Sequence, residues 1–233
     1  MKKIGIVGGL AWPSTMTYYQ TINEEIARLE GDGKNHCARM VISQTDFDEI
    51  ERNQAEGNWQ HVGELIAAEA ASLKAAGADF FIIACNTVHM AYPYIMEHTD
   101  LPNIHIVDPV AEAAIAKGIG TVGLIGTGYT MEEDYFKGRL RDKYGLKVIV
   151  PEPEEIKMIH RALFAELVKD IVLPETKQMI VDVIGHLADR GAQSLILGCT
   201  EFGLMLHQED SPIPLLDTTI EHAKAAAAWA MDD

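Results

Sequence analysis

The sequence predicts an α/β protein of two similar lobes related by pseudo-two-fold symmetry, each a four-stranded, mainly parallel sheet flanked by helices. Two observations predict this class. Short apolar segments alternate with longer helical patterns along the 233 residues, and landmarks of the first half recur in order in the second. Strand–helix–strand order with such lengths gives right-handed βαβ units and therefore parallel sheets.

Eight segments are predicted as strands because they are short, apolar and mostly without alternation, as parallel strands covered on both faces are. In chain order they are Lys3–Val7, Arg39–Ser43, Phe80–Ala84, Ile104–Val107, Thr121–Ile125, Lys147–Val150, Ser194–Leu197 and Ile213–Leu216. Three of the intervening helices are predicted to stop at a glycine, the residue that favours the C-terminal cap. These are Glu64–Ala76 before Gly77, Met131–Tyr144 before Gly145 and Thr176–Arg190 before Gly191, and a last helix covers Thr218–Met231.

The repeat sets the domain organisation. Gly5–Gly9 resembles Gly123–Thr127, Ala78–Thr87 resembles Ala192–Glu201, and Val107–Pro109 resembles Leu216–Thr218, at spacings of 118, 114 and 109 residues. Three matches in the same order indicate duplication of one unit. We expect an N-terminal lobe at residues 1–112 and a C-terminal lobe at 113–212, with the segment 213–233 packing back on the N-terminal lobe. The active site is expected in the cleft between the lobes.

Net charge, apolar runs and the number of cysteines exclude several classes of partner and location. The formal net charge is −16, which argues against nucleic acid and anionic membranes as partners, because both need a basic face. No run of 18 apolar residues is present, so no membrane span is predicted, and a cytoplasmic location is expected. Three cysteines, an odd number, do not favour a disulfide framework.

Two of these cysteines end matching strands. Cys85 follows the strand Phe80–Ala84, and Cys199 follows Ser194–Leu197 at the equivalent place in the repeat. Ligands of open parallel sheets bind beyond the carboxyl ends of the strands. One such cysteine alone is better interpreted as a buried small residue. Two at equivalent positions, each followed by polar residues, favour acid–base chemistry, in which a thiolate removes a proton from one face of a carbon and a thiol returns one to the other.

Polar residues follow both cysteines into predicted helix starts. Asn86, Thr87, Thr200 and Glu201 can hold a carboxylate there, and capping of the helices is a compatible alternative role. Glu201 can also accept a substrate ammonium group or polarise Cys199.

Arg52 and Gln54 follow the second strand, where they can bind a carboxylate in a fork. A solvated acidic helix start explains the same residues equally well. Two small-residue loops open helices as candidate anion sites, at residues 8–15 and 126–130. Neither is a G-x-G-x-x-G motif, so nucleotide binding is not favoured.

A metal site is not predicted, although four histidines were candidates: His89, His160, His186 and His207. The spacing of Cys85 and His89 suits two ligands, but a zinc site needs three or four. Cys37 lacks any comparable context and is interpreted as structural. A Cys–His–Asn hydrolase leaves the second cysteine of the repeat without a role.

Taken together, Gly8-Gly9-Leu10 with Ser14-Thr15, Ala84-Cys85-Asn86-Thr87 and Gly198-Cys199-Thr200-Glu201 resemble the aspartate/glutamate racemase superfamily over nearly the whole chain. Residues 46–59 and 126–132 resemble its aspartate racemase and broad-specificity amino-acid racemase branch. The resemblance implies a homodimeric racemase that needs no cofactor, with Cys85 and Cys199 as the acid–base pair. It also implies that the substrate contacts Leu10, Arg52, Gln54, Asn86, Thr87, Thr127, Thr130, Thr200 and Glu201. A lysine of these enzymes has no aligned counterpart, and Lys169 stands one position away.

The expected function is therefore interconversion of L- and D-aspartate, with glutamate or a broader set as further substrates, by two-cysteine proton transfer at the α-carbon. Two alternatives stay open. One is a relative with altered chemistry, a dicarboxylate isomerase or decarboxylase that uses one cysteine. The other is a two-lobed protein that binds an amino acid without turnover. A thiol-redox protein is disfavoured because the chain has no C-x-x-C motif.

Overall fold

A computed structural model describes residues 1–169 and 171–232. The chain divides into two compact units. The first unit is Met1–Ile106 together with the end of the chain from His222, and the second is Val107–Glu221. The sequence had placed the lobe limits at residues 112 and 212, six and nine residues from these two crossings.

The first unit carries a three-stranded parallel sheet of order β2-β1-β3. Its elements up to residue 97 are β1 (Ile4–Gly8), α1 (Trp12–Glu30), β2 (Met40–Gln44), α2 (Phe47–Ala55), α3 (Trp59–Ala75), β3 (Phe80–Ile83), a 3₁₀ helix (Thr87–Ala91) and α4 (Tyr92–Glu97). Alternate residues of β1 serve opposite faces of the sheet, as strand geometry requires. Ile4 and Ile6 pack in the cluster of α1, whereas Val7 packs in the cluster of α3.

The second unit carries a four-stranded parallel sheet of order β5-β4-β6-β7. Its elements are α5 (Val107–Ala116), β4 (Thr121–Gly126), α6 (Gly128–Glu132), α7 (Asp134–Tyr144), β5 (Lys147–Ile149), α8 (Pro153–Ala165), a 3₁₀ helix (Leu167–Lys169), α9 (Pro174–Asp189), β6 (Ser194–Gly198), α10 (Phe202–Met205), a 3₁₀ helix (Gln208–Asp210), β7 (Leu215–Asp217) and α11 (Thr218–Met231). The last ten residues of α11 lie in the first unit, where its alanines pack in the cluster of α1.

The strand register reproduces the repeat found in the sequence. Ile4 of β1 pairs with Phe80 of β3, and Val122 of β4 pairs with Ser194 of β6. Val122 lies 118 residues after Ile4, and Ser194 lies 114 residues after Phe80, the spacings at which the sequence motifs recur. The predicted α/β class with parallel sheets is confirmed, and the two sheets share one pairing order.

One predicted strand is wrong. The segment Ile104–Val107 forms no strand, so the first sheet has three strands and not four. Only an isolated bridge joins Phe81 to Asn103, and α5 begins at Val107. The segment leaves the sheet because His105 turns inward and packs its ring 4.6 Å from that of His89. In the second unit the equivalent segment stays in the sheet as β7.

The predicted helix Met131–Tyr144 is interrupted. It is split at Glu133, whose extended backbone (φ −85°, ψ 156°) separates α6 from α7. The bend is stabilised by Tyr135, whose hydroxyl lies 2.8 Å from that of Thr130. The predicted stops at glycine are confirmed: Gly77, Gly145 and Gly191 follow their helices with φ of +82°, +69° and +95°. Among the described residues, no helix is both long and apolar enough to cross a membrane.

Candidate active site

The turn after β3 presents Cys85 beside the turn after β1. The amide of Ala84 donates to the carbonyl of Val7 at 2.9 Å, so the carboxyl ends of the two strands are in register. Cys85 is half-buried, and Asn86 and Thr87, which follow it, are buried. Cys85 packs against the cluster of α3 but is less buried than the strand before it, and partial exposure is typical of reactive cysteines.

The neighbouring turn after β1 is conformationally constrained. Gly9 has φ +75°, and a Cβ there would lie 2.4 Å from the carbonyl oxygen of Thr45. Ala11 is buried at φ 67°, a conformation that costs a residue with a side chain about 1–3 kcal/mol. The amide of Gly9 donates to the hydroxyl of Thr15 at 2.9 Å, which ties the turn to α1. Such strain persists where surrounding contacts fix the backbone, and it accumulates at functional sites. Leu10, a predicted substrate contact, is buried between these two residues.

Below Cys85 lies the buried imidazole of His89. Its Nδ1 is 2.8 Å from the carbonyl oxygen of Cys85, and its Nε2 accepts the amide of Ile106 at 3.3 Å. An amide only donates and a carbonyl only accepts, so Nε2 is unprotonated and Nδ1 carries the proton. His89 had been a candidate metal ligand with Cys85. Its ring instead holds the backbone of Cys85.

The turn after β6 gives the second cysteine a carboxylate partner. The thiol of Cys199 donates to Oε2 of Glu201 at 2.9 Å, and the hydroxyl of Thr200 donates to the same oxygen at 3.0 Å. All three side chains are buried. Glu201 is therefore placed to exchange a proton with Cys199.

This arrangement makes the two cysteine sites chemically different. At the position of Glu201 in the second half, the repeat has Thr87 in the first. The residue two positions after the cysteine is thus a threonine in the first half and a glutamate in the second, and this glutamate is the hydrogen-bond partner of Cys199.

Next to Cys199 lies the turn after β4. Gly126 of β4 pairs with Gly198 of β6, so Thr127 and Cys199 follow adjacent strand ends. The hydroxyl of Thr127 accepts the amide of Thr130 and caps α6. A Cβ on Gly198 would lie 2.9 Å from a carbonyl oxygen of β4 and 3.0 Å from the methyl of Thr130. The glycine is thus needed for the close approach that brings Thr130 against the strand end.

His160 of α8 supports the same turn. Its Nδ1 accepts the amide of Gly128 at 2.9 Å. Burial lowers the pKa of His160 below 6.5, with the charge of Glu132 acting weakly in the other direction. The ring is therefore neutral near pH 7, which an acceptor at Nδ1 requires. His160 had been considered only as a metal ligand, and nothing in its local sequence indicates this contact.

A further carboxylate, half-buried, belongs to the last residue of β7. Asp217 accepts the amides of Thr219 at 2.7 Å and Ile220 at 3.4 Å, and so caps the start of α11. Burial raises its pKa to about 6, and the two amides oppose that rise. β7 pairs with β6 through Asp217 and Leu197, two residues before Cys199. The sequence had marked Asp217 only as a landmark of the repeat.

Some residues that the sequence predicted as substrate contacts have other surroundings than the turns of Cys85 and Cys199. Arg52 is about two-thirds exposed and donates to Asp48 at 3.0 Å, within α2. Gln54, two residues on, is buried. Lys169 is exposed at the end of its 3₁₀ helix. Arg52 therefore lies on the solvated face of α2, and an approach to a ligand would require it to leave Asp48.

The remaining metal candidates have other partners. His186 bonds to Glu155 at 2.6 Å, and the backbone of His207 bonds to the carboxylate of Asp210. Within residues 1–169 and 171–232, no group of three or more His, Cys, Asp or Glu side chains is arranged to hold a metal ion. Cys37 is exposed ahead of β2.

Comparisons with known proteins identify the family and the fold of the chain. Residues 7–226 match the family model described as Asp/Glu/hydantoin racemase. A structure of a proposed Asp/Glu racemase from Yersinia pestis is 38% identical, with a TM-score of 0.90 over 100% of both chains. An aspartate racemase homologue from Pyrococcus horikoshii is 31% identical, with a TM-score of 0.83 over 100% of both chains.

The curated relatives are longer proteins. The glutamate racemase of Deinococcus radiodurans is 28% identical over 147 residues, which are 61% of this chain and 49% of that protein. The chain thus matches about half the length of this relative, and the full-length likeness is to the two solved structures.

Proposed function

The chain belongs to the Asp/Glu/hydantoin racemase family, and from this premise we propose that it interconverts the L- and D-enantiomers of an acidic amino acid without a cofactor. Aspartate is the substrate we propose first. The two full-length structural relatives are described as an Asp/Glu racemase and an aspartate racemase homologue. Glutamate is the second substrate, since the curated relatives that match part of the chain are glutamate racemases.

The observation that carries the proposal is the pair of thiols at equivalent strand ends. Cys85 and Cys199 follow strands with one register, and each is the first residue of a turn that leads into a helix. In the proposed reaction one sulfur, as thiolate, removes the α-proton while the other, as thiol, delivers a proton to the opposite face. The reaction requires both sulfurs to reach one α-carbon.

The different neighbours of the two thiols suggest how the reaction begins. Cys199 donates its hydrogen to Glu201, so it is the proton donor of the resting pair. Cys85 then acts as the first base. After one turnover Cys85 holds the α-proton and Cys199 has lost its own. The resting pair returns when Cys85 releases a proton to water and Glu201 relays a proton from water to Cys199. Which enantiomer meets Cys85 is fixed by how the substrate binds.

The substrate carboxylate is proposed to bind the turns that carry the cysteines. Buried polar side chains surround these turns: Asn86, Thr87, Thr127, Thr130 and Thr200. Their hydroxyls and amides, with the backbone amides of the turns, would stabilise the charge that develops when the α-proton leaves. Leu10 and Gln54 would line the first unit's side, and Arg52 would bind the second carboxylate after leaving Asp48.

Deuterium exchange in D₂O tests the two-base mechanism. The parent should racemize both enantiomers of aspartate with solvent deuterium at the α-carbon. Cys85→Ser and Cys199→Ser should each lose racemization by at least about 100-fold, the usual worth of a general acid or base. Each should retain α-proton exchange with one enantiomer, and the two variants should retain it with opposite enantiomers.

Cys37→Ser is the matched control, because Cys37 is exposed and outside both turns. It should racemize aspartate as fast as the parent. Equal racemization by the Cys85→Ser variant would show that the two-base assignment is wrong. Release of CO₂ without racemic product would instead support the decarboxylase alternative, and tight binding without exchange would support a binding protein.

Two further properties belong to the proposal. Both thiols must stay reduced, so we place the reaction in the cytoplasm, where reducing conditions prevail. We also propose a homodimer. Light scattering on the 25.6 kDa chain tests this, since a dimer has twice that mass.

A further inference from the structure

His89 occupies a place that the proposed chemistry does not use directly. It is fully buried, carries a titratable ring and contacts the backbone carbonyl of Cys85. We propose that His89 is a positioning residue that fixes the direction of the Cys85 thiol through the Cys85 carbonyl. The inference rests on the proposed function for its effect on turnover, and its effect on the thiol itself can be measured separately.

The geometry fixes the protonation state of His89. Ile106 can only donate from its amide, so Nε2 of His89 must be unprotonated; the proton on Nδ1 then points at the Cys85 carbonyl, 2.8 Å away. The ring spans two chain segments with one hydrogen bond to each. His89 lies in the 3₁₀ helix Thr87–Ala91 and thereby holds the carbonyl of Cys85, which lies two residues before that helix.

The segment that supplies the amide of Ile106 is itself anchored. The carbonyl of Ile104 accepts from Nε2 of His222 at 2.9 Å, so Nδ1 of His222 accepts the hydroxyl of Tyr18 at 2.8 Å. Tyr18 belongs to α1 and His222 to α11, and both are fully buried. The hydrogen bonds thus run from two helices through residues 104–106 to His89 and the Cys85 turn.

Aromatic contacts hold the ring of His89 in its plane. The ring of His105 lies 4.6 Å away, and that of Tyr92 stacks at 6.1 Å with an interplanar angle of 15°. The rings of Tyr92 and His105 also contact each other, at 4.7 Å, so the three rings form one cluster that must repack if His89 swings away from the carbonyl. This explains why the chain between β3 and α5 gives up a fourth strand: His105 and Ile106 serve the Cys85 turn instead.

Positioning matters here because proton transfer depends steeply on geometry. A displacement of the reacting atoms by about 1 Å can cost about 100-fold in rate. A peptide turn whose carbonyl is released can rotate, and the Cβ–Sγ bond of Cys85 rotates with it. Substrate contacts made by other residues do not depend on this carbonyl, so the effect should fall on kcat more than on KM.

Two conservative variants separate the two bonds of the ring. In His89→Asn the side-chain amide nitrogen takes the place of Nδ1 and still donates to the Cys85 carbonyl. In His89→Gln the side-chain amide oxygen takes the place of Nε2 and accepts the amide of Ile106, while the bond to Cys85 is lost. Tyr18→Phe is the matched control, because it removes a buried hydrogen bond of the same network without touching the Cys85 turn.

The first readout is independent of catalysis. In a background with Cys37→Ser and Cys199→Ser, Cys85 is the one thiol left of three, and its alkylation rate by iodoacetamide is measured. We expect His89→Gln to change this rate at least about fivefold, and His89→Asn and Tyr18→Phe to stay within about twofold of the parent, given the steep dependence of reactivity on geometry. Equal rates for His89→Gln and the parent would overturn the inference, whether or not the protein racemizes aspartate.

The second readout is turnover with both cysteines present. We expect His89→Gln to lower kcat by about 10- to 100-fold with KM within about threefold, and His89→Asn to retain most of kcat. Loss of activity by both His89 variants in proportion to their loss of thermal stability, matched by Tyr18→Phe, would show a purely structural role and overturn the inference. A parent that racemizes no amino acid but shows the expected alkylation rates would refute the proposed function and leave the positioning role supported.

Discussion

Asp217 offers a prediction whose size follows from the structure. Burial raises its pKa from 3.8 to about 6 while its carboxylate caps α11. A shift of about two units corresponds to about 3 kcal/mol, at about 1.4 kcal/mol per unit. Solvent that reaches the partly exposed residue makes this an upper value. Asp217→Asn should remove the cost of ionisation and keep the cap, because an amide oxygen can accept the same two backbone amides.

The sign of the pH dependence follows from the raised pKa. Between about pH 4 and pH 6 the folded state holds a proton on Asp217 that the unfolded state has released, so stability falls as pH rises through this window. Ionisation of Asp217 lowers the free energy of unfolding by about 1 kcal/mol at pH 4.5 and by the full amount above pH 7. The free energy of unfolding of Asp217→Asn, minus that of the parent, should therefore grow by up to about 2 kcal/mol between pH 4.5 and pH 7.5.

Urea unfolding followed by far-ultraviolet circular dichroism measures this difference. Circular dichroism reports on the helices of both units, whereas Trp12, Trp59 and Trp229 all lie in the first. Asp182→Asn, an exposed carboxylate on α9, gives the baseline for removing one negative charge. A difference between Asp217→Asn and the parent that is flat across this pH range would refute the reasoning.

Three more predictions concern the backbone and the histidines. Ala11→Gly should increase the free energy of unfolding by up to about 1 kcal/mol, because glycine adopts φ 67° without the strain that alanine has there. The melting temperature should rise accordingly, and a lower melting temperature would contradict the strained turn. Gly198→Ala should cost about 1–3 kcal/mol in urea unfolding because its Cβ would lie 2.9 Å from a carbonyl oxygen. Gly185→Ala, with nothing within 4 Å, should stabilise α9 by about 0.5–1 kcal/mol, and equal effects of the two variants would refute the close approach. In proton NMR the ring of His160 should titrate below pH 6.5, and that of His186, bonded to Glu155, above it. The stability contributed by His160 should be lost as pH falls below 6.5, whereas the stability contributed by His186 should be complete at low pH and lost as pH rises. The reverse order of titration would contradict both contacts.

Much of the fold was predictable because its signals are local. Parallel strands covered on both faces are continuously apolar, as in β3 and β6, where every residue is buried. Helix stops at Gly77 and Gly145 depend only on the left-handed conformation that glycine adopts freely. The repeat added long-range information, since equal spacing of equal motifs anticipated the equal register of β1 with β3 and of β4 with β6.

The fourth strand of the first sheet could not be predicted from local pattern. Three of the four residues 104–107 are apolar, and the chain just before them makes the same hydrogen bond as the chain before β7: Phe81 donates to Pro102 as Leu195 donates to Pro214. What removes them from the sheet is the packing of His105 against His89 and Tyr92, which lie 16 and 13 residues earlier in the chain. No local propensity carries that contact.

The candidate site divides along the same line. The sequence by itself determined which residues follow the strands, Cys85 and Cys199 among them, because strand ends and turn residues are set by local periodicity and by the repeat. The sequence also offered Glu201, two residues from Cys199, as a group that polarises its thiol. Only the tertiary structure decided the partners from distant segments: the amide of Ile106 for His89, the amide of Gly128 for His160, and the hydroxyl of Tyr18 for His222. A hydrogen bond of about 3 Å depends on rotamers and on segments far apart in the chain, and these are fixed only when the whole core packs.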